Sequence, residues 1–338
     1  LGENPVDVIH AEGVAGFYLD VKALAHYLDV KINGGPMTTP SPSPLSRPLD
    51  ALLAAAAPAI WGSTYIVTSE LLPPGYPLTD AVLRALPAGL LLMLVTRKLP
   101  PRAWLGRLAV LGALNFALFW SALFVSAYRL PGGVAATLSA VQPLLVLLLA
   151  HAALATPLTP RALAAATVGI GGVALLVLGP EAELDAIGVA AALAGAFSMA
   201  GGVVLTRKWQ PPVSALTFTA WQLTAGGLLL LPVALALEPA LPPPSVANLA
   251  GFLWLGLFGA ALTYFFWFRG IERLGPAAVT GFTFLSPLTA VLLGWLILGE
   301  ALSPLQLLGA ALVLGCVWVG SRPAKPTSSR SQEKEMTP

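Results

Sequence analysis

The sequence predicts an all-α membrane protein: ten transmembrane helices arranged as two inverted five-helix repeats, with both termini cytoplasmic. Three observations carry that prediction. The 338 residues are 57% hydrophobic and only 10% charged, whereas a soluble domain carries about a quarter charged residues to cover its surface. The charges gather in the first 36 residues, in short connections and after Arg322, leaving long apolar runs between Leu49 and Val319. Each run is close to the length of about 20 residues that crosses a hydrocarbon core. Finally, residues of the first half recur in the second at nearly fixed offsets.

Taken in order, apolar runs bounded by Gly, Pro or charged punctuation give spans near 49–71, 79–96, 104–128, 132–153 and 161–178. A second set lies near 187–206, 214–236, 248–269, 277–298 and 304–320. Short loops rich in Lys and Arg resist translocation. Arg97, Lys98, Arg102 and Arg107, then Arg161, then Arg207 and Lys208, then Arg269 and Arg273 all fall on one side. The tail from 322 to 338 adds more and reads as a disordered cytoplasmic segment. Opposite loops hold Glu70, Asp80, Glu181, Glu183, Asp185, Glu238 and Glu300, with Arg129 as the exception. Residues 1–48 read as a flexible N-terminal segment. Within it, Met37 opens a Ser/Pro-rich lead-in, so 1–36 is expected to be an extension upstream of the natural start.

At an offset of 144, Leu111-Gly112 matches Leu255-Gly256, Arg129-Leu130 matches Arg273-Leu274, and Pro143-Leu144 matches Pro287-Leu288. At 138, Leu78-Thr79 matches Leu216-Thr217, and residues 89–92 match 227–230. The repeats are therefore placed at 49–180 and 181–321. An odd number of spans per repeat forces the two halves to insert in opposite senses, the plan of many secondary transporters.

With these residues in view, the sequence resembles the drug/metabolite transporter superfamily, in its EamA-type, ten-span branch. The resemblance is carried by Pro58 to Gly62, by Leu114 to Leu118, and by the polar residues Gln142 and Ser286 before Pro143 and Pro287. Leu298 to Leu302, with its first-half counterpart Ala155 to Thr159, completes it. The first half has Thr156 where the second has Glu300, so that acid is expected to cap locally. The resemblance implies a multi-pass carrier of the bacterial cytoplasmic (inner) membrane. Its implied cargo is a small metabolite, with export of amino acids, aromatic ones included, as the leading expectation. A channel-like or importing permease for another metabolite or drug is the alternative.

A carrier needs polar or aromatic residues deep in its spans. Trp61 and Tyr65 share a face of the first span and suit a substrate with a flat or apolar side chain. Asn115 and Phe119 share a face of the third, where a buried amide requires a partner. Gln142, Trp221, Gln222 and Tyr264 lie inside later spans, and Thr280, Thr283 and Ser286 form a polar stripe on the ninth. Pro143 and Pro287 each deprive a helix of an amide donor, at a cost of about 3 kcal/mol, and are expected to act as kinks beside the cavity. Arg84 is the one Lys or Arg well inside a span. It is expected either to pair, with Asp80 or with Glu70 across the loop, or to attract a substrate carboxylate. Its repeat equivalent is Gln222, and that of Asn115 is Gly259.

Other chemistries find no footing. Three His, two of them before residue 37, and the lone Cys316 supply no catalytic constellation, no disulfide and no metal cluster. No enzyme, cofactor or metal is expected. A net charge of +2 argues against nucleic acid. The expected partners are a small-molecule substrate, membrane lipid and at most a weak homo-oligomer, with glycines 169, 171, 309 and 315 permitting close helix packing. With no acid at mid-span, uniport is at least as well supported as proton antiport.

Overall fold

Away from water a chain must satisfy its amide groups within each segment, so apolar runs of this length fold as helices. The computed structural model describes residues 46–155, 158, 160, 164, 167–169, 171, 172, 175, 185–209, 211–274, 281–300 and 302–321. Among the described residues it is all-helical, with no strand. Among the described residues, seven helices are long and apolar enough to cross a membrane: α1 (Pro48–Leu71), α2 (Pro77–Thr96), α3 (Arg102–Arg129), α4 (Gly132–Leu154), α5 (Ala186–Trp209), α6 (Ala215–Leu237) and α7 (Val246–Ile271). Two shorter apolar helices follow, α8 (Leu285–Leu298) and α9 (Pro304–Ser321). Most of the expected fifth span, 161–178, lies outside the described residues. So do Thr280, the segment before residue 46 and the tail after 321.

The outer surface carries large apolar side chains such as Leu94, Leu235, Val246, Trp295 and Ile297, each more than half exposed. Water would penalise such a surface and lipid does not. Hydrophobic burial consequently cannot drive helix against helix, and close packing of small residues takes its place. α2 packs along α6, α3 along α5 and α6, and α7 along α2. At the α3–α6 crossing, a Cβ on Gly112 would stand 2.7 Å from the amide nitrogen of Gly226, and one on Gly226 would stand 2.7 Å from the Gly112 carbonyl. The α2–α6 crossing is as tight, for a Cβ on Gly89 would lie 2.6 Å from the Thr224 nitrogen. On α1, a Cβ on Gly62 would collide with the Ser286 carbonyl of α8.

Several helices depart from regular geometry. α3 and α7 each contain a π-helical stretch, Ala113–Leu118 and Trp254–Leu262. α4 is interrupted at 140–141, just before Pro143, which lies on its exposed face. α8 follows the 3-10 turn Gly281–Phe284 and carries Pro287 buried in its first turn.

Polar groups secure the ends. The Glu238 carboxylate accepts from the Leu78 and Thr79 amides at 2.7 and 2.8 Å, so the end of α6 caps the start of α2. Glu300 accepts from the Gly132 amide at 3.1 Å. It thus reaches across the fold to the start of α4, where local capping was expected. Burial pushes its carboxyl above the ordinary range, while the Gly132 amide opposes that shift. Asp50, 1% exposed, binds Arg269 at 2.9 Å and Arg273 at 3.3 Å, tying the start of α1 to the end of α7. Two cations read from sequence as loop charges are therefore held by a buried acid. At the opposite end Arg129 pairs with Asp185 at 2.9 Å in the open. The Gly188 amide and then Arg129 hold the Asp185 carboxyl below its usual range.

Overpacking a close crossing costs about 1–3 kcal/mol. Gly112→Val should lower the thermal unfolding midpoint in detergent by several degrees. Gly106→Ala, on the same helix with open space around it, should hold the midpoint or raise it slightly, since alanine is the better helix former.

Candidate functional site

The centre of the bundle is assembled from α1, α2, α3, α6 and α7. Arg84 of α2 is 3% exposed. Its Nη2 donates to the Gly259 carbonyl at 3.0 Å, and its guanidinium lies 4.5 Å from the centre of the Trp120 ring. Nε and Nη1 are buried and have no partner among the described residues. The expected pairing with Asp80 is not made; one oxygen of that carboxylate accepts from the Tyr128 hydroxyl of α3 at 2.5 Å instead. Two donors on different edges of the planar guanidinium fork are left free in a site shut off from water, either of which can donate to an incoming carboxylate.

An aromatic chain runs away from this fork. Phe116 meets Trp120 edge-on at 5.2 Å and Tyr264 at 6.0 Å, while Trp61 lies 5.7 Å from Tyr264 and 5.3 Å from Trp267. Trp61 Nε1 donates to Thr263 Oγ1 at 3.0 Å, which fixes the indole against α7. Beside the chain, Asn115 Nδ2 donates to Gln222 Oε1 at 2.6 Å. The π-helical stretches carry Asn115 and Phe116 on α3 and Gly259 on α7, in keeping with the frequent use of such stretches at functional sites.

Of the residues singled out from sequence, Trp61, Arg84, Asn115, Gln222 and Tyr264 come together here. Tyr65 is buried next to them on α1 and donates to Ser139 at 3.5 Å. Others go elsewhere. The ring of Phe119 lies near Gly195 of α5, where a Cβ would meet it at 3.5 Å. Trp221 donates to the Lys98 carbonyl at 2.6 Å and packs with Trp104 and Phe218 at the Arg-rich end. Gln142 and Thr283 are half-buried on α4 and in the turn before α8. Sequence reasoning passed over Phe116, Trp120 and the burial of Asp80. The first two could have been found, because they repeat at i, i+4 beside Asn115.

The profile of the EamA-like transporter family matches residues 49–178 and again 186–321. The chain belongs to the EamA-like transporter family. Among EamA relatives, Protein PecM of Dickeya dadantii is 46% identical over 263 residues, covering 77% of this chain and 88% of its own. The uncharacterized inner membrane transporter YedA of Escherichia coli is 29% identical, covering 76% and 86%. A probable terminal-alkyne amino-acid exporter of Streptantibioticus cattleyicolor is 29% identical, covering 66% and 75%. A solved crystal structure 20% identical shares the fold with a TM-score of 0.56, over 81% of this chain and 97% of that one. The protein is thus a transporter, multi-pass in the bacterial inner membrane.

Removing one partner of a buried hydrogen bond strands the other, at about 1–3 kcal/mol. Asn115→Leu and Gln222→Leu should each destabilise the EamA fold. The double variant should lose clearly less than their sum, as read from a double-mutant cycle of thermal unfolding in detergent.

Proposed function

We propose that this protein is a secondary transporter that exports small metabolites, foremost amino acids and aromatic ones among them, by alternating access of two inverted repeats. The observation that carries the reading is Arg84, buried, with Nε and Nη1 unpartnered, at the head of the aromatic chain from Trp120 to Trp61. A carboxylate would engage the fork, and a flat side chain would lie among Phe116, Tyr264 and Trp61. The resemblance to a probable amino-acid exporter supports the cargo class.

Two hydrogen bonds support the inverted arrangement. Arg84 corresponds to Gln222 at one repeat offset, and Asn115 to Gly259 at the other. Arg84 binds Gly259, and Gln222 binds Asn115. The same bridge is therefore made twice, once from guanidinium to backbone and once from amide to amide. A ten-span topology with both ends cytoplasmic is the arrangement in which two such halves face each other.

The test is counterflow in proteoliposomes loaded with unlabelled phenylalanine and offered the labelled form. Wild type should show saturable counterflow, and Arg84→Gln should reduce it about tenfold or more, since a charge-assisted fork is lost. Trp61→Ala should weaken aromatic substrates more than small ones. Unitary conductance in planar bilayers without saturable exchange would overturn the carrier reading.

A further inference from the structure

One buried acid remains outside the site as described so far. Asp80 stands one helical turn before Arg84 on α2 and is 1% exposed. Its Oδ2 takes the Tyr128 hydroxyl, which also lies 3.0 Å from the Pro73 carbonyl. Its Oδ1 is buried with no partner among the described residues. The other acid near this end of α2, Glu238, is already occupied by the Leu78 and Thr79 amides. α2 therefore presents a free acceptor on a buried acid and two free donors on a buried cation, spaced i, i+4. Both residues meet α3, Asp80 through Tyr128 and Arg84 through Trp120. Leaving either group unmet in a low-dielectric interior is costly, and the two do not satisfy each other.

We infer that Asp80 and Arg84 together form a clamp for the zwitterionic head of an α-amino acid, Asp80 Oδ1 accepting from its ammonium and one free guanidinium nitrogen of Arg84 donating to its carboxylate. The inference rests on the amino-acid reading above and deepens it by excluding aromatic acids and amines as good substrates. Residues four apart rise about 6 Å along a helix. Two charge-assisted hydrogen bonds of about 2.8 Å each let one small zwitterion meet both groups on this face of the helix. Either charge alone would leave one protein group stranded, and a site built to bond a polar group rejects analogues that lack it. Asp80 is thereby a specificity-determining residue, and the side chain of the substrate falls toward Trp120 and Phe116.

Three probes with the same phenyl ring separate the terms: phenylalanine, 3-phenylpropanoate and 2-phenylethylamine, each competing with labelled phenylalanine in the counterflow assay. In wild type, phenylalanine should compete at about tenfold lower concentration or better than either single-charge analogue. Asp80→Asn keeps an oxygen for Tyr128 and should weaken phenylalanine about tenfold while leaving 3-phenylpropanoate unchanged. The inference is overturned if wild type accepts 3-phenylpropanoate as well as phenylalanine, or if Asp80→Asn weakens both equally. The wild-type ranking decides the matter even where the variant does not fold. Absence of phenylalanine counterflow in wild type, with the protein folded in the liposomes, would instead remove the amino-acid reading itself and this inference with it.

Discussion

The crossing of two hydrogen bonds at the bundle centre, Arg84 to Gly259 and Asn115 to Gln222, is the constraint around which the remaining features are arranged. A polar side chain in a hydrocarbon interior must find a partner, and here each finds it on a helix of the other half. The two bonds differ because Gly259 has no side chain. An amide in its place could have met Arg84 side chain to side chain. With glycine there, the guanidinium reaches the backbone with one nitrogen and retains two others. The asymmetry between the two bridges thus comes from the absence of a side chain at one position.

Such crossings demand backbones at close range, and the glycines supply this. Gly112 against Gly226 and Gly89 against Thr224 bring α3 and α2 onto α6 with almost nothing between them, which is how helices associate when lipid gives no hydrophobic reward for doing so. The ends of the same helices use charge instead. Glu238 and Glu300 lend their carboxylates to helix starts far away in sequence, so a helix end on one segment is completed by another.

Much of this was legible in the sequence, and the portion that was not has a physical cause. Hydropathy reports the length of a buried run, so the helices α1 to α7 were readable to within a few residues. The offsets of 138 and 144 compared position with position, which is why they singled out Arg84, Gln222, Asn115 and Gly259 together. Rotation about a helix axis is less well encoded when nearly every residue is apolar. Trp221 and Gln222 are adjacent, yet one turns to the Arg-rich end and the other to the centre. Acids near helix ends were the other difficulty. Asp50 and Asp80 look like loop charges, and only tertiary packing buries them.

The two ends of the molecule are fastened in physically different ways. Asp50, Arg269 and Arg273 form their pairs mostly out of contact with solvent, whereas Arg129 and Asp185 are 42% and 36% exposed. Mobile ions screen exposed charges within about 8 Å at physiological ionic strength and reach buried pairs far less. Raising salt therefore weakens the Arg129–Asp185 pair while leaving the α1–α7 tie almost untouched, and the medium at one end has a hold on the protein that the medium at the other lacks.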